Sequence, residues 1–83
     1  MHPAEASEFQ WDEGNESELA RHGIRPEEVE EVFDNHPVWT PNKRHRAGHW
    51  RMTGLTHGGR RLTIIVQHVS NEYILRAITG WEA

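Results

Sequence analysis

The sequence predicts an α+β domain in the order β-α-α-β-β-β, with two helices packed on one face of an antiparallel meander. Three observations predict this class. Helix-capping signals fall in the first half of the chain, strand patterns fall in the second half, and a Gly58-Gly59 pair separates two of those strand patterns. We expect residues 1–8 to form a flexible acidic N-terminus and residues 9–83 to form one domain, whose core is thin at this chain length.

The first strand and the first helix are predicted from short local signals. Residues 9–11 alternate apolar and polar side chains, as a short edge strand does. Asp12 is a candidate N-cap for a helix over 13–22. Gly23 then stands where a glycine commonly ends a helix, so the helix is expected to stop there.

The second helix is predicted to begin at Pro26, because proline suits the first helical position. Its apolar residues Val29, Val32 and Phe33 fall three and four positions apart, which places them on one stripe of an otherwise acidic helix. Pro37 ends this helix, since the residue before a proline disfavours the α conformation.

The second half of the chain is predicted to contain a loop and three strands. Residues 38–47 have a proline and a run of basic residues, which indicate an exposed basic loop. The strands are expected over 48–56, 60–69 and 73–79. Beyond them, Thr79 and Glu82 have the spacing of a capping box that could start another helix.

The assignment of side chains to the two sheet faces depends on the hairpin turn. If Gly58-Gly59 is the whole loop, four pairs lie opposite each other and share one face, which we expect to pack against the helices: Leu55 and Leu62, Thr53 and Ile64, Arg51 and Val66, His49 and His68. Leu75 and Ala77 would join that face. The opposite face would then present a mixed surface typical of an RNA-binding or protein-binding sheet, with Trp50, Met52, Arg61, Ile65, Gln67, Ile74, Arg76 and Ile78.

The net charge of −4 conceals a strongly dipolar chain. Residues 1–37 contain eleven carboxylates and two arginines, a balance of −9, whereas residues 38–83 contain seven Lys/Arg and two carboxylates, a balance of +5. A cationic surface built on strands favours a polyanion or an acidic protein as the partner. The candidate backbone-binding residues are Lys43, Arg44, Arg46, Arg51 and Arg60.

Composition excludes several classes of site. The chain has no cysteine, which rules out disulfides, iron–sulfur clusters and thiol catalysis. The longest apolar cluster, residues 62–66, is too short to span a bilayer, and the first ten residues do not have the pattern of a signal peptide. We therefore expect a cytoplasmic protein with no membrane partner. His45 and His49 do not lie on a helix where their spacing would converge, so no metal site and no cofactor are predicted.

Several segments resemble the BrnT toxin family. The first half matches that family's opening at residues 9–15, 20–24 and 27–33, and residues 50–54 and 59–66 match its central hairpin. The resemblance implies a RelE-like ribonuclease fold, and a type II toxin that is neutralised by a DNA-binding, BrnA-like antitoxin. Two positions depart from the family, because Leu55 and Trp81 stand where members often carry arginine, and the family's basic C-terminal helix is missing from this chain.

The leading hypothesis is a metal-independent ribonuclease that transfers the phosphodiester to the 2′-OH. Arg76 and Arg61 would hold the phosphate, Arg51 and Lys43 would steer RNA, and His49 or His68 would act as acid and base. His57 is a further acid–base candidate in the basic half. The alternative is a catalytically inactive toxin-like domain that binds an antitoxin-like protein or RNA. A third possibility is a domain with no nucleic-acid partner, in which the charge split favours head-to-tail self-association, for example as a homodimer.

Overall fold

The structure is a computed structural model that describes residues 2–42, 49–69 and 73–83. The strands form one mixed sheet in the order β1-β5-β4-β3-β2, in which β1 runs parallel to β5 and the other neighbours are antiparallel. After a 3₁₀ turn at Pro3–Glu5, the elements are β1 (Glu8–Gln10), α1 (Glu13–Arg21), α2 (Pro26–Asp34), β2 (Val38–Pro41), β3 (His49–Leu55), β4 (Arg61–His68) and β5 (Ile74–Glu82).

The cap of α1 forms as the sequence predicts. The Asp12 carboxylate accepts the backbone N–H of Asn15 at 3.1 Å, and the Asn15 side-chain oxygen accepts the backbone N–H of Asp12 at 2.9 Å. Gly23 adopts a φ of +70° after the last turn. Because that conformation costs glycine little, the chain can reverse there and begin α2 three residues later.

One apolar layer holds both helices on the same face of the sheet, which confirms the predicted α+β class. Ten residues of this layer are almost completely buried: Leu19, Ile24, Val29 and Val32 from the helical part, and Met52, Leu62, Ile64, Val66, Leu75 and Ala77 from the sheet. Each helix is nine residues long. In the part of the chain that the structure describes, no helix is long and apolar enough to cross a membrane.

The β3–β4 turn has three residues, not the two that the sequence predicts. Thr56 donates its backbone N–H to the Arg60 carbonyl at 2.9 Å, and Gly59 has a φ of +85°, as in a turn followed by a bulge. Met52 therefore lies opposite Ile64, where Thr53 was predicted. The expected pairing is wrong by one residue, and this reverses the face of every β3 side chain.

The predicted faces of β4 and β5 agree with the observed core, whereas the predicted faces of β3 are exchanged. Trp50 and Met52 point toward the helices, and Arg51 does not, because side chains alternate along the strand. We call the side of the sheet turned away from the helices the outer face. It includes His49, Arg51, Thr53 and Leu55 from β3, Arg61, Thr63, Ile65 and Gln67 from β4, and Arg76, Ile78 and Trp81 from β5.

Strand pairing overrides two further predictions. Val38–Pro41 pairs with β3 as a strand, although the sequence predicts a loop over 38–47; residues 43–47 of that loop lie outside the described residues. β5 runs to Glu82, where a helix start is predicted, and the Ala83 N–H bonds to the Arg61 carbonyl at 3.0 Å. An extra residue in β5 places Thr79 opposite Ile65 but Ala77 opposite Val66.

The N-terminal residues, predicted to be a flexible lead, contact the sheet. The His2 ring lies 5.0 Å from the Trp50 ring and 6.0 Å from the Trp39 ring, measured between centroids. Pro3 is fully buried, and Ser7 donates its N–H to the carbonyl of Tyr73 at 2.8 Å. The domain boundary at residue 9 stays a prediction.

Gly80 is predicted to be intolerant of any side chain. A Cβ at this position would lie 2.6 Å from Ile64 Cδ1 and 2.9 Å from the Thr63 carbonyl oxygen. Gly80→Ala should therefore lower the free energy of unfolding by about 1–3 kcal/mol through overpacking, as measured by urea titration. Gly58→Ala is the control, because its Cβ would meet Thr56 Oγ1 at 3.9 Å. Equal stability of the two variants would contradict the prediction.

Candidate nucleic-acid interface

The outer face is cationic and partly apolar. It presents Arg51, Arg61 and Arg76, and none of the residues that β3, β4 and β5 turn to this side is a carboxylate. Leu55 and Trp81 are also exposed there, to 49% and 39%. Cationic groups beside an aromatic side chain are the combination with which a protein surface holds both the backbone and the bases of RNA.

The helical layer has the opposite charge. α2 contains five carboxylates and no basic residue, and α1 contains three carboxylates with Arg21. The fold thus converts the charge split of the sequence into two sides of one molecule. A polyanion is repelled by the helical side and attracted to the outer face.

The register spreads the three outer-face arginines along the sheet. Arg51 lies opposite Ile65, four residues from Arg61, a separation of about 13 Å along the strand. Arg76 lies opposite Gln67, six residues from Arg61, or about 20 Å. Side chains that stand upright on a sheet do not bridge 20 Å. This spacing does not support the expectation that Arg61 and Arg76 hold one phosphate, and that role stays a prediction.

A pocket of about 250 Å³ opens on the outer face beside Arg51 and His49. We call it the outer-face pocket. The guanidinium carbon of Arg51 lies 5.9 Å from the centroid of the Trp81 ring, a cation–π contact. The Asn42 N–H donates to the His49 carbonyl at 2.9 Å, and this backbone hydrogen bond holds Asn42 beside the first residue of β3. The lining consists of Asn42, His49, Arg51, Ile65, Ile78, Thr79 and Trp81.

Arg76, predicted as catalytic, is paired within the chain. Its two terminal nitrogens bond to the two carboxylate oxygens of Asp12, with Nη2 and Oδ1 3.2 Å apart. The hydrogen bond from Arg76, together with the backbone N–H of Asn15, lowers the pKa of Asp12 below its ordinary value. Arg76 therefore helps to hold the N-terminus of α1 against the sheet, and part of its charge is neutralised there.

Arg60, predicted to bind RNA, is held by groups on the helical side. Its Nε donates to Glu82 at 2.7 Å, and its Nη1 donates to Glu28 at 3.1 Å and to the Gly23 carbonyl at 2.8 Å. The bond to Glu82 is the main cause that raises the pKa of Arg60 above its ordinary value. These contacts favour a stabilising role that joins the α1–α2 turn, α2 and β5.

His68 does not share a face with His49. Gln67 lies opposite His49, so the predicted pairing of the two histidines is wrong. His68 lies two residues after the core residue Val66 and therefore faces the helices as well. Its Nε2 is buried without a hydrogen-bond partner among the described residues. Burial lowers the pKa of His68, and the positive charges of the N-terminal amine and His2 lower it further.

The remaining candidates lie apart from the outer-face pocket or outside the described residues. The His57 ring nitrogen lies 3.8 Å from a Glu31 carboxylate oxygen of α2, at the far end of the hairpin. Within residues 2–42, 49–69 and 73–83, no group of three His, Asp or Glu side chains could hold a metal ion. Lys43, Arg44 and Arg46 lie outside the described residues, so their RNA contacts stay predictions.

Sequence reasoning missed the pocket because its lining comes from three strands and from Asn42, which follows β2. The sequence predicts that Arg51 steers RNA. Arg51 lies two residues from His49 and therefore shares its face in any register. No sequence signal predicts a role for Asn42, and Trp81 is interpreted from the sequence as the replacement of a family arginine. The alternation within β3 already places His49 and Arg51 on one face, but no local signal locates Trp81 beside Arg51.

The fold is similar to that of a solved ribonuclease toxin. The crystal structure of BrnT from Brucella abortus superposes with a TM-score of 0.63 at 20% identity, covering 92% of this chain and 95% of that chain. The similarity confirms a BrnT-like fold, which the sequence resemblance implied. No protein-family model and no curated protein matches the sequence.

Replacing Arg60 is predicted to lower the free energy of unfolding much more than replacing Arg61. Arg60→Met leaves the nearly buried Glu28 carboxylate without this partner, which should cost about 1–3 kcal/mol in free energy of unfolding. Arg61→Met alters an exposed side chain and should change stability by less than about 0.5 kcal/mol. Urea unfolding of both variants at neutral pH tests the difference, and a larger loss in Arg61→Met would refute it.

His68 is predicted to make the protein less stable as the pH falls below about 6.5, the ordinary histidine value. Because its pKa is lowered in the folded state, the unfolded chain binds the proton first, so stability is present above that pH and lost below it. His68→Leu should reduce this loss, measured as unfolding free energy against pH. His57→Gln, which removes an exposed histidine, is the matched control, and His68→Leu should change the profile more than this control does. Identical profiles for the wild type and His68→Leu would rule out the assignment.

Proposed function

We propose that this protein is a toxin-type domain that acts on RNA, and that the outer face is its RNA-binding surface. The observation that carries the proposal is the outer-face pocket, where His49 and Arg51 meet on a cationic sheet. The similarity of the fold to a ribonuclease toxin supports the same proposal. The carboxylates of the helical layer leave the outer face as the side on which RNA can bind.

The proposed chemistry is metal-independent cleavage of a phosphodiester. His49 accepts the proton of the 2′-OH, the 2′-oxygen forms a bond to phosphorus, and the bond to the 5′-oxygen breaks, with water supplying its proton. Arg51, two residues along the same face, stabilises the charge on the pentavalent phosphate. In this scheme Arg61 contacts a neighbouring phosphate. Arg76 has a mainly structural role through its ion pair with Asp12. His68 faces the core and takes no part in the chemistry.

A second candidate function is a non-catalytic RNA-binding or antitoxin-binding module. It is favoured by the ion pair between Arg76 and Asp12, which removes one outer-face cation from the substrate, and by Leu55 and Trp81 in place of family arginines. Both candidates share the outer face but differ in whether the bound RNA is cut. Cleavage by the wild type is the observation that separates them.

A BrnA-like antitoxin is the proposed protein partner in both cases. Exposed apolar side chains at Val38 and Leu55 continue the outer face beyond the arginines, and a protein that covers them would also block RNA. We propose the cytoplasm as the location, because RNA is the proposed substrate. Formation of a homodimer through the outer face is the competing proposal. Sedimentation of the purified chain shows whether it is a monomer or a dimer.

Binding of RNA is predicted to depend on Arg51 and on salt. Arg51→Gln should weaken binding of a short labelled single-stranded RNA and reduce the slope of log affinity against log salt by about one, because one phosphate contact is lost. Arg25→Gln removes an exposed arginine at the start of α2 and is the matched control. Equal affinities and slopes for both variants would exclude the outer face as the RNA surface.

Cleavage is predicted to require His49 and to proceed in excess EDTA. His49→Gln should bind the labelled RNA like the wild type but should leave it intact, since the group that accepts the 2′-OH proton is gone. Gel analysis of the incubated RNA measures this result. Cleavage that survives His49→Gln would contradict the proposed chemistry, and binding without cleavage by the wild type would support the non-catalytic candidate.

A further inference from the structure

The outer-face pocket has the features of a binding site for a flat ring. Its volume of about 250 Å³ lies just below the roughly 300–1,000 Å³ range of drug-sized ligand pockets. The side chains of Ile65 and Ile78 supply an apolar lining, and Ile65 is 6% exposed. Such a cavity is suited to a single unsaturated ring system and is too small for a folded peptide or a base pair.

One wall of the pocket is a stacking surface. Trp81 is 39% exposed, and the Arg51 guanidinium lies against its ring at 5.9 Å. Indole rings and guanidinium planes are the protein groups on which unpaired bases stack. The positive charge at the same wall also attracts the phosphate of the stacked nucleotide, so the base and its backbone are contacted together.

A second wall offers a polar group that can contact the edge of a base. Asn42 is 4% exposed and lines the pocket, and none of the side-chain hydrogen bonds between described residues uses its carboxamide. A carboxamide presents a donor and an acceptor side by side, as a base edge does. Thr79 is occupied elsewhere, because its hydroxyl donates to the Glu18 carboxylate at 2.9 Å.

We propose that the outer-face pocket holds one unpaired base of single-stranded RNA, stacked on Trp81 and hydrogen-bonded at its edge by Asn42. This inference rests on the proposed function, since it names the part of the RNA that the same surface recognises. Trp81, which stands where members of the BrnT toxin family often carry arginine, thus becomes the residue on which the base stacks. The pocket adds a preference for unpaired, base-bearing RNA to the salt-dependent attraction of the arginines.

The test compares a single-stranded oligoribonucleotide with an oligomer of the same length and backbone that lacks its bases. The wild type should bind the base-bearing oligomer more tightly, by about tenfold for one stacked base. Trp81→Ala should remove that preference and Trp81→Phe should restore most of it, because phenylalanine keeps an aromatic ring. Tyr73→Ala is the matched control, since it removes an aromatic ring that is 57% exposed outside the pocket.

The edge contact is tested with the four homopolymeric oligoribonucleotides. The wild type should prefer one base over the others, and Asn42→Ala should reduce this selectivity while Trp81-dependent stacking persists. Selectivity that is unchanged in Asn42→Ala would overturn the edge contact. Equal binding of base-bearing and base-free oligomers by the wild type, or a preference that survives Trp81→Ala, would overturn the pocket assignment.

Failure of the pocket and failure of the proposed function give different results. If the pocket assignment is wrong, RNA still binds and Arg61→Gln still weakens the binding, but the base preference is either absent or survives Trp81→Ala. If the proposed function is wrong, the wild type binds neither oligomer at low salt, and the pocket assignment falls with it. Loss of the base preference in Trp81→Ala, with Tyr73→Ala unaffected, supports both.

Discussion

The three-residue turn between β3 and β4 is the constraint on which the rest of the structure depends. Gly59 adopts a φ of +85° in this turn, and the resulting register places Met52 opposite Ile64 in the core. A slip of one residue would direct Arg51 into the layer between sheet and helices and would expose Met52. Because an unpaired buried charge is very costly, the same turn secures both the core and the cationic outer face.

The role of each arginine is decided by which side of the sheet its carboxylate partners occupy. Arg60 precedes β4 and reaches Glu28 and Glu82 on the helical side, whereas Arg61, the next residue, belongs to the outer face. Arg76 shares the outer face, but Asp12 at the start of α1 lies within its reach. The cationic character of the outer face therefore rests mainly on Arg51 and Arg61 among the described residues, although the sequence offers several more cations.

The parts of the fold that the sequence predicts well are those decided within a few residues. The Asp12 cap joins groups three residues apart, and Pro26 begins α2 through its own fixed φ. β2 escaped prediction because Pro41 and the basic residues after it indicate a loop, and its strand character comes from pairing with β3. The helix start that Thr79 and Glu82 predict does not form for the same reason, because pairing with β4 keeps these residues in β5 and tertiary contacts override local propensity.

The candidate site follows the same rule. His49 and Arg51 belong to one strand and share a face whatever the register, so their juxtaposition was within reach of the sequence. His49 and His68 belong to different strands, and the one-residue change in the turn separated them. Individual candidate residues could therefore be named from the sequence, but their grouping across strands could not, because grouping depends on a turn whose length the Gly58-Gly59 pair leaves open.

The outer-face position of Trp81 depends on a second irregularity, the extra residue in β5. Counting by twos from Arg76 along a regular strand would turn position 80 outward and position 81 toward the helices. The shift between Ile65 and Val66 exchanges them, so that Gly80 meets Ile64 where no Cβ fits, and the indole stands beside Arg51. The bulge therefore turns the large aromatic ring of Trp81 onto the cationic outer face and forms the stacking wall of the pocket. Gly80 takes the core position beside it, where a larger residue would clash.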